Sequence, residues 1–187
     1  IVEETLVEES IADPEPTILI EPEAEIEPVE AMATPVELNL TIDDIPQEVG
    51  PIALREAAAA GDRIALYFVG DYYSGGVPGQ SGNDLEQALN WYQKSAELGY
   101  PLAQYRLANF YEKGFGTERD LNEAKKWYQM AAEQGNAAAM HNLAVLYANG
   151  VDGVADFETA TRWFQQAAEF GLKDSQFNLG ILSAKGE

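Results

Sequence analysis

The 187-residue sequence has no cysteine and a single histidine, His141. Without Cys there can be no disulfide scaffold, no thiolate zinc site and no thiol nucleophile. One His cannot build a multi-His metal centre, although carboxylates can still hold a hard cation. Positive charge is scarce: 11 Lys and Arg stand against 32 Asp and Glu, for a net charge of -21. Contact with nucleic-acid phosphates or an anionic bilayer needs clustered Lys and Arg, so the balance argues against both as partners. No apolar run approaches the roughly 18 residues of a membrane span, and no signal peptide is visible. The chain opens on Ile1 rather than Met, which reads as a fragment or a processed chain.

The charge is unevenly placed. Residues 1–50 hold 15 acidic residues, no Lys or Arg, and six of the nine prolines. All 19 aromatics and 15 of the 16 glycines come after residue 50. A stretch that alternates Glu, Pro and small aliphatics cannot bury enough apolar surface to offset its ordering entropy. Like charges and Pro stretch it further. Residues 1–50 are therefore expected to be an acidic, Pro-rich disordered linker, with an acidic lure for a basic partner as the alternative. Thr17–Ile20 and Val36–Ile42 are locally apolar and could pair as short strands or dock on the body.

The remainder repeats itself. Gly61, Gly99, Gly135 and Gly171 are spaced by 38, 36 and 36 residues. Four positions after each come Ala65, Ala103, Ala139 and Ser175; eight after come Val69, Leu107, Leu143 and Leu179; nine after come Gly70, Ala108, Ala144 and Gly180. Eight before the last three glycines stand Trp91, Trp127 and Trp163, each followed by Tyr92, Tyr128 or Phe164. Each unit reads as two helices. The first (A) begins just after the anchor glycine and buries offsets four, eight, eleven and twelve, which share one arc at about 100° per residue. A glycine at offset fifteen (Gly76, Gly114, Gly150, Gly186) ends it. The second (B) starts after Asp84, Asp120 or Asp156, each suited to an N-cap, with Gln87 and Glu123 placed for a capping box. The next anchor glycine closes it.

A helix pair of this size cannot bury its own apolar face, and stacked pairs share a continuous core. The expected fold is all-α, a right-handed α-solenoid of helix pairs over 51–187. It comprises a capping helix at 51–60, pairs at about 63–98, 101–134 and 137–170, and an unpaired terminal helix at 173–184. The face Phe177, Leu179, Ile181 and Leu182 of that last helix should need a partner, so the natural protein is expected to continue beyond Glu187.

The pattern Ala-x-x-x-Leu-Ala/Gly-x-x-Tyr-x-x-Gly, then Asp-x-x-x-Ala-x-x-Trp-Tyr/Phe-x-x-Ala-Ala-x-x-Gly, resembles the Sel1-like repeat, a relative of the tetratricopeptide repeat (TPR). More narrowly, the strings at 50–55, 139–146 and 174–182 resemble the Sel1 region of PodJ-type alphaproteobacterial polar-localisation scaffolds. That resemblance implies a periplasmic interaction module of a membrane-anchored cell-pole protein, with partners in the cell envelope and a peptidoglycan-binding region elsewhere in the full protein. It also leaves open a periplasmic regulator that inhibits a membrane signalling protein, or a peptidoglycan-associated wall binder. Some Sel1-like proteins are disulfide-rich and hydrolyse penicillins; the missing cysteines count against that activity here.

No constellation carries chemistry. There is no phosphate loop and no nucleophile elbow, and neither a catalytic residue nor a cofactor is expected. His141 sits at offset six, where Tyr67, Tyr105 and Phe177 stand, and reads first as a packing ring. General base or pH-sensitive contact is its alternative, with no Ser in its own turn to activate. The Trp-Tyr pairs repeat at packing registers and read as core. Binding is the sharper expectation. Solenoids of this type offer a concave A-helix surface, and the arc opposite the core stripe holds Tyr67, Asp71, Tyr105, Arg106, Asn109, Glu112, His141, Asn142 and Asn178. Asn and Arg can clamp a peptide backbone and Tyr can cover apolar side chains; the plain alternative is a solvated polar face.

Overall fold

The computed structural model describes residues 38–75, 84–151 and 153–185, with backbone alone at 184 and 185. The chain divides into two compact units, 1–33 and 34–187, and every described residue belongs to the second. The linker expectation for 1–37, the loop 76–83 and the terminator position Gly186 lie outside the described residues.

Eight α-helices follow two 3-10 turns (Ile42–Asp44 and Gln47–Val49): α1 Ile52–Ala59, α2 Arg63–Tyr73, α3 Leu85–Glu97, α4 Pro101–Lys113, α5 Leu121–Glu133, α6 Ala137–Ala148, α7 Phe157–Glu169 and α8 Lys173–Lys185. There is no strand among the described residues. Each helix packs on its neighbours in the chain, so α2–α3, α4–α5 and α6–α7 are the three pairs of an α-solenoid, with α1 before them and α8 after.

Local chemistry accounts for the boundaries. Asp84 accepts the backbone N–H of Gln87, Asp120 those of Asn122 and Glu123, and Asp156 that of Thr159. Asp62 and Asn136 cap α2 and α6 in the same way. Each side-chain oxygen satisfies a donor that the helix start leaves unpaired, which contributes about 1 kcal/mol. At the other end the anchor glycines take φ of +83°, +77°, +87° and +85°. Around each, two reversed bonds form, as in Gly99 N–H to Ala96 carbonyl and Tyr100 N–H to Ser95 carbonyl. That is the Schellman closure, which needs a left-handed residue at its centre.

The interior follows the repeat. Ala65, Ala103, Ala139, Ser175, Val69, Leu107 and Leu143 are all buried. Tyr92, Tyr128 and Phe164 are buried behind them, Trp91 and Trp127 are buried, and Trp163 is half-buried. The Trp-aromatic pairs are thus core. Gly70 shows why offset nine is small: a Cβ there would stand 2.6 Å from the Tyr92 ring.

Two expectations need correction. The linker does not run to residue 50. Leu38, Leu40, Ile45 and Val49 pack against α1 and α2, with Ile45 only 1% exposed. Arg55 of α1 fastens this segment, donating from Nε to the Ile45 carbonyl (3.1 Å) and from Nη2 to the Ile42 carbonyl (3.2 Å). Thr41 and Asp44 close a capping box around the first turn. Four apolar side chains meeting a helix end outweigh three nearby carboxylates that stay in water. At the other terminus, the apolar face of α8 is only partly unpartnered. Leu182 is buried and Leu179 half-buried against Ala144, Ala160 and Phe164, whereas Phe177 (70% exposed) and Ile181 (39%) face outward.

Candidate functional site

Offsets three, six, seven, ten and thirteen of an A helix fall within an arc of about 120°, opposite the core stripe. On α4 these are Leu102, Tyr105, Arg106, Asn109 and Glu112. Beneath that arc lies the aromatic of the B helix, and its hydroxyl organises the polar groups.

Tyr128 of α5 is the best-connected case. Asn109 donates from Nδ2 to the Tyr105 carbonyl (2.8 Å), which turns its Oδ1 toward the Tyr128 hydroxyl at 3.0 Å. Glu112 Oε2 is nearer, at 2.7 Å. The hydroxyl has one proton to give, and the shorter, charged acceptor takes it. Asn142 of the next A helix donates from Nδ2 to the same oxygen at 3.0 Å. Burial and the Glu112 carboxylate push the Tyr128 pKa well above the usual phenol range. Burial also works to raise the Glu112 pKa, but its bonds from Lys113 and Tyr128 outweigh that and hold the carboxyl below its ordinary value.

One repeat earlier, Tyr92 of α3 plays the same part. Its hydroxyl donates to Asp71 Oδ1 at 2.6 Å and lies 3.1 Å from Ser74 Oγ, which in turn donates to the Asp71 carbonyl at 3.0 Å. Burial, then the bond to Asp71, raises its pKa. The Tyr67 hydroxyl acts to raise the Arg106 pKa against the opposing effect of burial.

Two depressions open between successive A helices at one register. The first, about 300 Å³, is lined by Asp71, Ser74, Leu85, Tyr92, Arg106, Phe110 and Phe115. The second, about 130 Å³, is lined by Asn109, Glu112, Lys113, Asn142, Val145 and Leu146. Five of the nine residues expected on this face line them: Asp71 and Arg106 the first, Asn109, Glu112 and Asn142 the second. Tyr67 is buried and Tyr105 half-buried; their rings lie 5.7 Å and 6.0 Å from those of Tyr92 and Tyr128, which makes them support beneath the surface. Asn178 is half-buried on α8 and His141 sits on α6, and neither lines a depression.

His141 meets a serine across the fold rather than in its own turn. Its Nδ1 lies 2.8 Å from Ser175 Oγ of α8, and its ring stands edge-on to Phe164 at 5.3 Å. Ser175 is 0% exposed, so no substrate can reach its oxygen and the pair is a packing contact rather than a base and nucleophile. Burial lowers the His141 pKa against the pull of Asp174.

The sequence reading missed the apolar share of this face. Ile64, Phe68 and Leu102 are each close to half exposed. Phe68 holds offset seven, the register of Arg106, Asn142 and Asn178, and the signal was therefore present. Phe115 and Lys113, just past the arc, also line the depressions. Among the described residues there is no cluster of His, Asp or Glu able to hold a metal ion, and no helix is long and apolar enough to cross a membrane.

Comparison with known proteins places this arrangement. No curated protein matches the chain. Among solved structures it is similar to c5321, a protective antigen of uropathogenic Escherichia coli with an SLR fold, at 31% identity and a TM-score of 0.67; the match covers 72% of this chain and 28% of that one. It is also similar to a Sel1 repeat protein from Oxalobacter formigenes, at 32% identity and a TM-score of 0.63, over 70% of this chain and 52% of that one. The chain thus spans about a quarter to a half of the length of these relatives. The Sel1 repeat family matches residues 63–100, 101–136 and 137–171, the three helix pairs with their Asp caps and closing glycines, and the chain belongs to that family.

Proposed function

We propose that the A-helix face of this Sel1 repeat domain binds a protein partner, with Asp71, Arg106, Asn109, Glu112 and Asn142 as its polar contacts. Sel1 repeats mediate protein–protein interactions, and the observation that carries the reading to this face is the recurrence of a depression at one register of two successive repeats. Each has an acid, an amide or guanidinium, and an apolar floor.

The finer part of the proposal is that the partner lies in the cell envelope and that the domain serves a cell-pole scaffold of the PodJ type. The short strings at 50–55, 139–146 and 174–182, together with the acidic Pro-rich stretch ahead of the repeats, support it. A fluorescent fusion to the full reading frame tests it: a focus at one pole agrees, and uniform envelope fluorescence contradicts it. For the face itself, Arg106→Glu combined with Asn142→Ala should reduce capture of the envelope partner at least tenfold with the melting temperature within a few degrees of wild type. Unchanged capture would count against the groove.

A further inference from the structure

The first depression holds two opposite charges that do not meet. Asp71 of α2 and Arg106 of α4 both line it. Among the described residues no ion pair joins them, and no other carboxylate pairs with Arg106. In a chain with 32 acids and 11 bases, a guanidinium left without a carboxylate stands out. Asp71 is held by a different group: the hydroxyl of Tyr92, a residue only 1% exposed, donates to its Oδ1 at 2.6 Å. That bond fixes the carboxylate and keeps it from swinging to Arg106. The two charges still act on each other across the gap. The Tyr67 hydroxyl is the main influence raising the Arg106 pKa against burial, and the Asp71 carboxylate adds to the rise. Leaving the pair open costs the fold little, because a solvent-exposed ion pair contributes little to stability.

The second depression supplies the contrast. There the acid and the base do meet, Glu112 with Lys113 at 2.5 Å, and the space is only about 130 Å³. The first, at about 300 Å³, reaches the lower end of the range that holds small ligands, about 300–1,000 Å³. Its apolar lining is Leu85, Phe110 and Phe115. Phe115 is 44% exposed and stands edge-on to Phe110 at 5.6 Å, so a ring is open to contact from outside. An ion of one sign entering here would meet its own sign on one wall. A zwitterion presents each charge to its opposite, and a molecule that carries both on one carbon is small enough for the space.

We propose that this depression binds a free α-amino acid with an aromatic or large apolar side chain. The ligand's ammonium pairs with Asp71, its carboxylate takes the Arg106 guanidinium, and its side chain covers Phe115 beside Phe110. The site goes beyond the partner reading of this face, and its binding is measured with no partner present.

Isothermal titration calorimetry with the whole chain tests this, using phenylalanine (either enantiomer), phenylalaninamide, N-acetylphenylalanine and glycine. Phenylalanine should bind about fivefold or more tighter than each derivative, and glycine should show no binding at millimolar concentration. Arg106→Gln should weaken phenylalanine about fivefold or more and leave phenylalaninamide within about twofold, because the amide has no carboxylate to lose. Asp71→Asn keeps an oxygen for the Tyr92 hydroxyl. It should weaken phenylalanine and leave N-acetylphenylalanine within about twofold, because the acetylated nitrogen carries no charge. Phe115→Ala should weaken phenylalanine and both derivatives alike. Thermal melting checks that each variant folds. No binding of phenylalanine at millimolar concentration, equal affinity for phenylalanine and its two derivatives, or equal losses of phenylalanine and phenylalaninamide in Arg106→Gln overturns the proposal.

Discussion

Tyr128 and Phe164 occupy the same place in consecutive repeats, one residue after the tryptophan of helix B, and both are buried. Around Tyr128 the hydroxyl draws in Asn109, Glu112 and Asn142, so three side chains from two A helices are tied to one oxygen. Around Phe164 there is no hydroxyl. His141, at offset six, lies edge-on to the ring and turns to Ser175, and Val145 replaces the amide at offset ten. The comparison separates two things that a repeat encodes. Register fixes where a side chain goes, and the glycine closures and Asp caps hold that register in every unit. Chemical identity at one buried position then decides whether the face above it is a polar network or an apolar surface. Where α3 and α5 carry Tyr, the hydroxyl gathers polar side chains from the A helices; where α7 carries Phe, it gathers none.

Four substitution experiments sharpen that contrast. The largest effect is expected at offset nine. Gly70→Ala would press a methyl into the buried Tyr92 ring and should cost about 2 kcal/mol of stability by urea denaturation, in the range for overpacking. Gly180→Ala, at the same register in α8 with nothing within 4 Å, should instead stabilise by about 0.5–1 kcal/mol through helix propensity. Equal effects at the two positions would contradict the unequal packing.

Next comes Tyr128→Phe, which makes the middle repeat resemble the last. It leaves Glu112 and Asn142 without their shared oxygen and should cost about 1–2 kcal/mol, and a free-energy loss below about 0.3 kcal/mol would mean that the network is only decorative. Arg55→Ala should cost about 1 kcal/mol and raise amide exchange at Ile45 and Val49 selectively. Uniform exchange across α1 and α2 would argue against a fastened segment.

The smallest effect is pH dependence. Burial lowers the His141 pKa in the fold, so the unfolded chain binds the proton first as pH falls below about 6.5. Stability should therefore decline from pH 7 toward pH 5.5, and His141→Phe should flatten that part of the melting curve. An unchanged slope would show that His141 titrates freely.

Much of the solenoid was legible because its signals are local and repeated. The Asp caps, the anchor glycines and the buried offsets each rest on one residue type at one spacing, and the structure places them accordingly. The segment 38–50 was legible only in part: the apolar run 36–42 marked a stretch able to dock on the body, and Leu38 and Leu40 do so, but over the rest composition averages the signal away. Its charges and Pro46 resemble the linker, while Ile45 and Val49 matter only once α1 exists to receive them. On α8, the sequence could not say that α7 already shelters Leu179 and Leu182. The face was legible as an arc but not as chemistry. Helical periodicity puts Asn109, Glu112 and Asn142 on one side, but it cannot reveal that a hydroxyl from the pair's other helix gathers them. Nor did a search for polar residues register Phe68, whose offset was already in use.

The central claim is that partners bind the A-helix face rather than the outer B-helix face. Site-specific photocrosslinking tests it directly, with a benzophenone amino acid placed at Asn142 in one protein and at the exposed Gln165 of α7 in another. After illumination with the envelope fraction, the account predicts a discrete adduct from position 142, lost with Arg106→Glu, and none from position 165. The same adduct from position 165, with none from 142, would contradict it.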